Sequence, residues 1–157
     1  MSGNQDSMLS LSSYDRACLD RSWEWLRDPE IRALTMTPEF TREDQLHFFE
    51  SLPTRSGYHI WGLSLDGRPV GAAGLKNVRG ACAEYWGYLG ERDCWGKGLG
   101  KQLMLLIEAE ARKLGLSSLD LRVLATNSRA ISLYLKMGYV ETTLDAGEGV
   151  VFMAKEI

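Results

Sequence analysis

The chain has 157 residues, 45% of them apolar and 25% charged, and carries a formal net charge of −3. That length suits a single domain, residues 1–157, around one core, and the acidic balance argues against a nucleic-acid binder working through a broad basic surface. No apolar run approaches the roughly 20 residues that cross a bilayer, so no membrane segment is expected.

The first thirteen residues do not pair a basic stretch with a long apolar core, which is not the pattern of a secretory signal. Cys18, Cys82 and Cys94 are scattered with no C-x-x-C pair, and read as reduced thiols in a cytoplasmic protein. A catalytic thiol at Cys94 is the competing reading.

In chain order, Met1 to Ser7 is polar and expected to fray, and Met8 to Leu11 is a short first strand. From Asp15 to Leu34 the spacing predicts helix, with Leu19, Trp23 and Leu26 on one face. Asp28-Pro29 must break or restart it, because the proline ring disfavours helical backbone in the residue before it. Thr37-Pro38 is a turn. Thr41-Arg42-Glu43-Asp44 has the form of an N-cap with an acidic first turn, leading a helix through Leu46, Phe48, Phe49 and Leu52. Tyr58 to Leu65 and Pro69 to Leu75 read as strands joined by an Asp66-Gly67 hairpin. A turn at Asn77 to Gly80 leads into a strand over Ala81 to Leu89.

The stretch Glu84 to Gly115 is the most informative. An aromatic-rich run, Tyr85 to Leu89, gives way to a polar loop that becomes glycine-dense at Gly96, Gly98 and Gly100. It then opens into a helix whose apolar face holds Leu99, Leu103, Leu106, Ile107, Ala111 and Leu114, stopped by Gly115. A strand, a glycine loop and a helix start together make an anion receptor. The first helical N–H groups lack partners and the helix dipole adds positive charge, with Lys97 and Lys101 nearby. The spacing fits neither a Walker loop, since Glu91 stands where its first glycine belongs, nor G-x-G-x-x-G, since Lys101 stands where its last glycine belongs. A merely tight turn is the alternative.

The strand after this helix, Ser118 to Leu124, must return parallel to the one before it, since a helical crossover joins parallel strands. A helix over Ser128 to Met137 ends at Gly138. Tyr139 to Leu144, a loop at Asp145 to Gly149, and Val150 to Lys155 close the chain as an antiparallel pair. The expected class is α/β, a mixed sheet flanked by helices.

Trp95-Gly96-Lys97-Gly98-Leu99-Gly100 resembles the acetyl-CoA pyrophosphate loop of the GNAT acetyltransferase superfamily, R/Q-x-x-G-x-G/A. Trp95 departs from it where Arg or Gln is commonest. Asn127 to Tyr139, reading NSRAISLYLKMGY, is similar to the superfamily's N-x-x-A-I-x-L-Y-x-K-x-G-F/Y segment. The resemblance covers Tyr58 to Tyr139 well and the N-terminal third only loosely. It implies a GNAT-like fold, a mostly antiparallel sheet with one splayed parallel pair. The implied co-substrate is acetyl-CoA, with an amine acceptor and no metal.

The resemblance further implies which residues hold the coenzyme. The loop Trp95, Gly96, Lys97, Gly98, Leu99, Gly100 and Lys101 would take its diphosphate. The backbone at Gly87, Tyr88 and Leu89 would hold its pantetheine arm, with Asn127 and Ala130 contributing from the second motif. Tyr134 matches the proton donor to the departing sulfur; by spacing alone it is equally a core residue. Asn127 is a helix cap, a coenzyme contact, or both.

Some relatives carry a catalytic Glu where this chain has Arg122. Glu84 is therefore the preferred base, directly or through water, with a solvated strand carboxylate as the alternative and Asp120 a distant second. His47 and His59 read as structural or surface residues. Trp23, Trp25, Trp61, Tyr85 and Trp86 are candidates for an acceptor pocket and equally for the core. The acceptor is a primary amine on a small molecule, such as an amino-sugar nucleotide, or a protein N-terminus. A non-catalytic acyl-CoA-binding module and a nucleotide-binding domain of another kind are the competing classes, and a homodimer is compatible with the sequence.

Overall fold

The computed structural model describes residues 8–142 and 147–157. The expected fraying of Met1 to Ser7, the end of the strand placed at Tyr139 to Leu144 and part of the following loop lie outside those residues.

Local chemistry sets the element boundaries. Strand β1 (Leu9–Ser13) leads to helix α1 (Arg16–Trp25), capped by Asp15, whose carboxylate accepts from the Cys18 amide. Helix α2 (Pro29–Leu34) restarts after the break with Asp28 as cap and proline in its first turn. Helix α3 (Arg42–Ser51) opens on a reciprocal capping box between Thr41 and Asp44. Strands β2 (His59–Leu65) and β3 (Arg68–Arg79) meet at a two-residue hairpin in which Asp66 (φ 52°) and Gly67 (φ 82°) are both left-handed. Strand β3 runs to Arg79, past the expected end at Leu75. Asn77 at φ 52° carries a register shift there, so the chain keeps pairing through what the sequence reads as a turn.

Strand β4 (Cys82–Leu89), helix α4 (Leu99–Lys113), strand β5 (Ser118–Leu124), helix α5 (Ser128–Lys136), and strands β6 (Val140–Glu141) and β7 (Val150–Glu156) complete the described elements. The sheet order is β1-β2-β3-β4-β5-β7-β6. β4 and β5 are parallel, and the other neighbours are antiparallel.

The two faces of the sheet are sorted by strand alternation. Leu63, Leu75, Tyr85, Leu119 and Met153 point to the α4 side and are buried with Met104, Ile107 and Tyr139 in one core. The opposite face carries α1. A Cβ on Gly62 would stand 2.5 Å from the Cys18 sulfur, and one on Gly90 would overlap the Trp25 ring. Those two glycines let α1 lie against the sheet. On α4, Glu108 is buried and its carboxylate receives Lys155 Nζ of β7 at 3.0 and 2.9 Å, which ties the helix to the far side of the sheet.

Candidate active site

Strands β4 and β5 pair at only three positions, Cys82 with Ser118, Ala83 with Leu119 and Glu84 with Asp120. Beyond them β4 follows β3 as far as the Gly71–Leu89 pair, and β5 follows β7 as far as Leu124 with Val150. The strands therefore diverge, and each turns toward the gap an edge that no neighbouring strand pairs. A cavity of about 1030 Å³ runs through this gap, reaching the start of α4 at one end and α2, α3 and the residues flanking α1 at the other.

The α4 end is built to receive an anion. Helices α1, α2, α3 and α5 are capped by the side chains of Asp15, Asp28, Thr41 and Asn127, whereas α4 has Gly98 as N-cap and no side chain on its free N–H groups. Gly98 (φ 77°) and Gly96 (φ 75°) hold left-handed backbone with open space where a Cβ would be. Trp95, Gly96, Gly98, Leu99, Gly100 and Lys101 all line the cavity. Lys97 is exposed and does not line it. Arg129, which the sequence reading passed over, does, so the cations at this end are Lys101 and Arg129. The basic residue at the start of α5, just after Asn127, was the available signal. Trp95 replaces the usual Arg or Gln with a structural bond, its indole N–H donating to the Leu89 carbonyl at 2.9 Å. Asn127 accepts from the Ala130 amide at 3.3 Å, and both residues line the cavity, so the helix cap stands on the wall.

In the gap itself, Gly87, Tyr88 and Leu89 line one side. A Cβ on Gly87 would stand 2.5 Å from the Tyr85 hydroxyl, so glycine there lets Tyr85 fold across its own strand. Tyr134 of α5 meets Tyr85 edge-on, with ring centroids 6.4 Å apart, and Tyr139 at 5.8 Å. Burial pushes the Tyr134 phenol up to about 12, so it is protonated at neutral pH. Among the described residues its hydroxyl has no hydrogen-bond partner, and it lines the cavity.

The far chamber is aromatic. Glu84, Trp86 and Tyr88 alternate along β4 toward it, and Phe48 of α3, Tyr58 and Tyr14 face it. Glu84 is buried. Asn77 Nδ2 donates to one of its oxygens at 2.9 Å, Arg122 Nε to the other at 3.1 Å, and Lys76 Nζ stands 3.9 Å away.

The structure separates the two readings of the aromatic residues. Of the five residues named, only Tyr85 and Trp86 line the cavity. Trp25 packs under Gly90 and donates to Glu91 at 2.5 Å, which holds that carboxyl below its usual range. Trp23 packs on Phe40, and Trp61 stacks on His59 on the α4 side of the sheet. Period-2 alternation from Glu84 was the signal that could have found Trp86 and Tyr88 together.

Asp120 is bound by Arg79 and does not line the cavity, nor do His47 and His59. Cys94 lines it but is buried, and that burial pushes its thiol up, away from the thiolate a nucleophile needs. Among the described residues no His, Cys, Asp and Glu cluster suits a metal ion, and no helix is long and apolar enough to cross a membrane.

Residues 19–139 match the family described as "Acetyltransferase (GNAT) family". The chain belongs to the GNAT acetyltransferase family. No curated protein matches it in sequence. Solved structures share the GNAT fold at low identity. A domain from Methanocaldococcus jannaschii is 20% identical with a TM-score of 0.84, covering 97% of this chain and 100% of that one. Spermidine N-acetyltransferase from Vibrio cholerae, in complex with CoA and spermine, is 18% identical with a TM-score of 0.83, covering 95% of each chain. The Campylobacter jejuni N-acetyltransferase PseH in complex with acetyl coenzyme A is 16% identical with a TM-score of 0.72, covering 95% and 99%. The diverging β4–β5 pair and the glycine-capped α4 of this GNAT domain are thus set in a fold shared with enzymes that hold coenzyme A.

Proposed function

We propose that this GNAT protein is an acetyl-CoA-dependent N-acetyltransferase. The observation that carries the reading is one continuous cavity, joining the uncapped start of α4, the β4–β5 gap with Tyr134 on its wall, and an aromatic chamber around Glu84. The residues present fit the coenzyme. The amides from Gly96 to Lys101, with Lys101 and Arg129, suit a diphosphate. The free strand edges suit the amide-bearing arm, for which they offer ladder-like hydrogen bonds. Bound acetyl-CoA supplies an acetyl thioester.

The chain's own groups then divide the work. Unpaired N–H groups at the end of β4 are donors for a carbonyl oxygen that gains negative charge. Tyr134, protonated and without a hydrogen-bond partner among the described residues, donates to the sulfur as the C–S bond breaks and negative charge gathers there, and the proton the amine loses on acylation makes good the one given up. Glu84, fixed by Asn77 and Arg122, accepts a hydrogen bond from the incoming amine, directly or through water. Lys76 and Arg122 disfavour a second positive charge beside them, which helps the amine reach the site unprotonated. Nucleophilic attack requires that neutral form.

The reading is tested by following thiol release from acetyl-CoA across amine acceptors. Amine-dependent release, slowed by Tyr134→Phe and Glu84→Gln, supports it. Coenzyme binding without release for any amine supports instead the non-catalytic acyl-CoA-binding module.

A further inference from the structure

The chamber beyond Glu84 has a chemical character that selects among amines. Its walls are Tyr14, Phe48, Tyr58, Trp86 and Tyr88, with Ile60 on the sheet floor. Trp86 and Tyr88 are stacked at 6.5 Å with 23° between their planes, and Phe48 meets Tyr58 edge-on at 5.7 Å. Burial raises the phenols of Tyr14, Tyr58 and Tyr88, so these walls are neutral at physiological pH.

The carboxylates on the chamber are all engaged. Glu30 is paired with Arg92, Asp44 closes the capping box of α3, and Glu84 is held by Asn77 and Arg122. Around Glu84 two carboxylates, its own and that of its register neighbour Asp120, stand against three cations, Lys76, Arg122 and Arg79. Exposed Arg55, which does not line the cavity, packs on two of its wall residues, with its guanidinium carbon 5.1 and 5.8 Å from the ring centres of Phe48 and Tyr58. An acceptor with several positive charges finds Glu30 and Glu84 already paired with cations and Asp44 engaged in a helix cap, and it meets Lys76 and Arg122 at the floor. A flat apolar body finds aromatic surface from β4 (Trp86, Tyr88) and from α3 and its following loop (Phe48, Tyr58).

Taking the acetyltransferase reading as given, we infer that the acceptor is a monoamine carried on an aromatic body, which these rings clasp while its amine reaches Glu84, and that polycationic amines are excluded.

The test is calorimetric titration of the full chain, saturated with CoA so that no turnover occurs, with 2-phenylethylamine and with spermidine. Transfer from acetyl-CoA to each is measured in parallel. The expected result is at least about tenfold tighter binding of 2-phenylethylamine, with Phe48→Leu weakening it about 2- to 10-fold, the range of an aromatic contact. Phe48→Leu should leave coenzyme binding unchanged. Equal or tighter binding of spermidine, or no binding of the aromatic amine, overturns the inference. If spermidine is also acetylated, the acetyltransferase reading survives that failure. Tight binding of the aromatic amine without transfer of acetyl to any amine upholds the chamber's selectivity and overturns the catalytic reading.

Discussion

Trp95 donates its indole N–H to the carbonyl of Leu89 across 2.9 Å, which ties the first residue of the glycine loop to the last residue of β4. The two ends of the site, strand edge and helix start, are held in fixed relation by that bond. Arg92 lies over the other face of the arrangement, its guanidinium carbon 4.9 Å from the Trp95 ring centre. Trp95→Phe keeps an aromatic ring, smaller than the indole, and removes the donor. The expected cost is about 1 kcal/mol of stability, read by denaturant titration, with weaker coenzyme binding. Unchanged coenzyme affinity would show that the loop holds its shape without the bond.

Gly98 opens α4 with left-handed backbone and empty space at its Cβ position. Gly98→Ala therefore acts through conformation rather than collision, at about 1 to 2 kcal/mol. Because the same backbone presents the free amides, the variant should lose coenzyme affinity as well as stability, measured by calorimetry on the folded protein. Gly90→Ala is the contrasting case. Its methyl overlaps the Trp25 ring, so about 1 to 3 kcal/mol of overpacking is expected while α4 is untouched.

The Glu108–Lys155 pair crosses from α4 to β7 with Glu108 2% exposed. Lys155→Met leaves a buried carboxylate whose remaining cation among the described residues is Arg112 at 3.7 Å. A loss of about 3 to 5 kcal/mol is expected in chemical denaturation. Glu108→Gln with Lys155→Met should recover part of it, since no buried charge is then left unpaired.

All six tyrosines, Tyr14, Tyr58, Tyr85, Tyr88, Tyr134 and Tyr139, have phenols raised above 10.0, with burial the leading cause. A group whose folded value lies above its unfolded one contributes stability that is complete below the unfolded value and is lost as pH climbs through the folded one. For Tyr134 that window runs from 10.0 to about 12. Tyrosinate absorbance should thus stay low up to about pH 10 and then rise together with the loss of ellipticity. Gradual ionisation in a protein that stays folded would contradict the burial of these rings.

How much of this was legible in the chain depends on the range of the interaction. The caps at Thr41 and Asn127 and the Asp66-Gly67 hairpin are decided within four residues, and the structure has them. The parallel return of β5 followed from the helix between the strands. The Glu84–Arg122 bond was not legible, because it needs the register that sets Glu84 beside Asp120 across 36 positions of chain, and no local pattern encodes that register. For Trp23, Trp25 and Trp61 the choice between pocket and packing stayed open in the chain for a related reason, since aromaticity is visible in a sequence but the face that a ring occupies is not. β3 outran its expected end because Asn77 takes a left-handed conformation inside a strand rather than in a turn.

The central claim, that the cavity transfers acetyl groups with Tyr134 protonating the departing sulfur, is tested most directly by comparing wild type with Tyr134→Phe in amine-dependent thiol release from acetyl-CoA. The account predicts release in wild type and a fall of about 10²-fold or more in kcat for the variant, at unchanged acetyl-CoA affinity. No amine-dependent release from wild type, or a variant as fast as wild type, would contradict it.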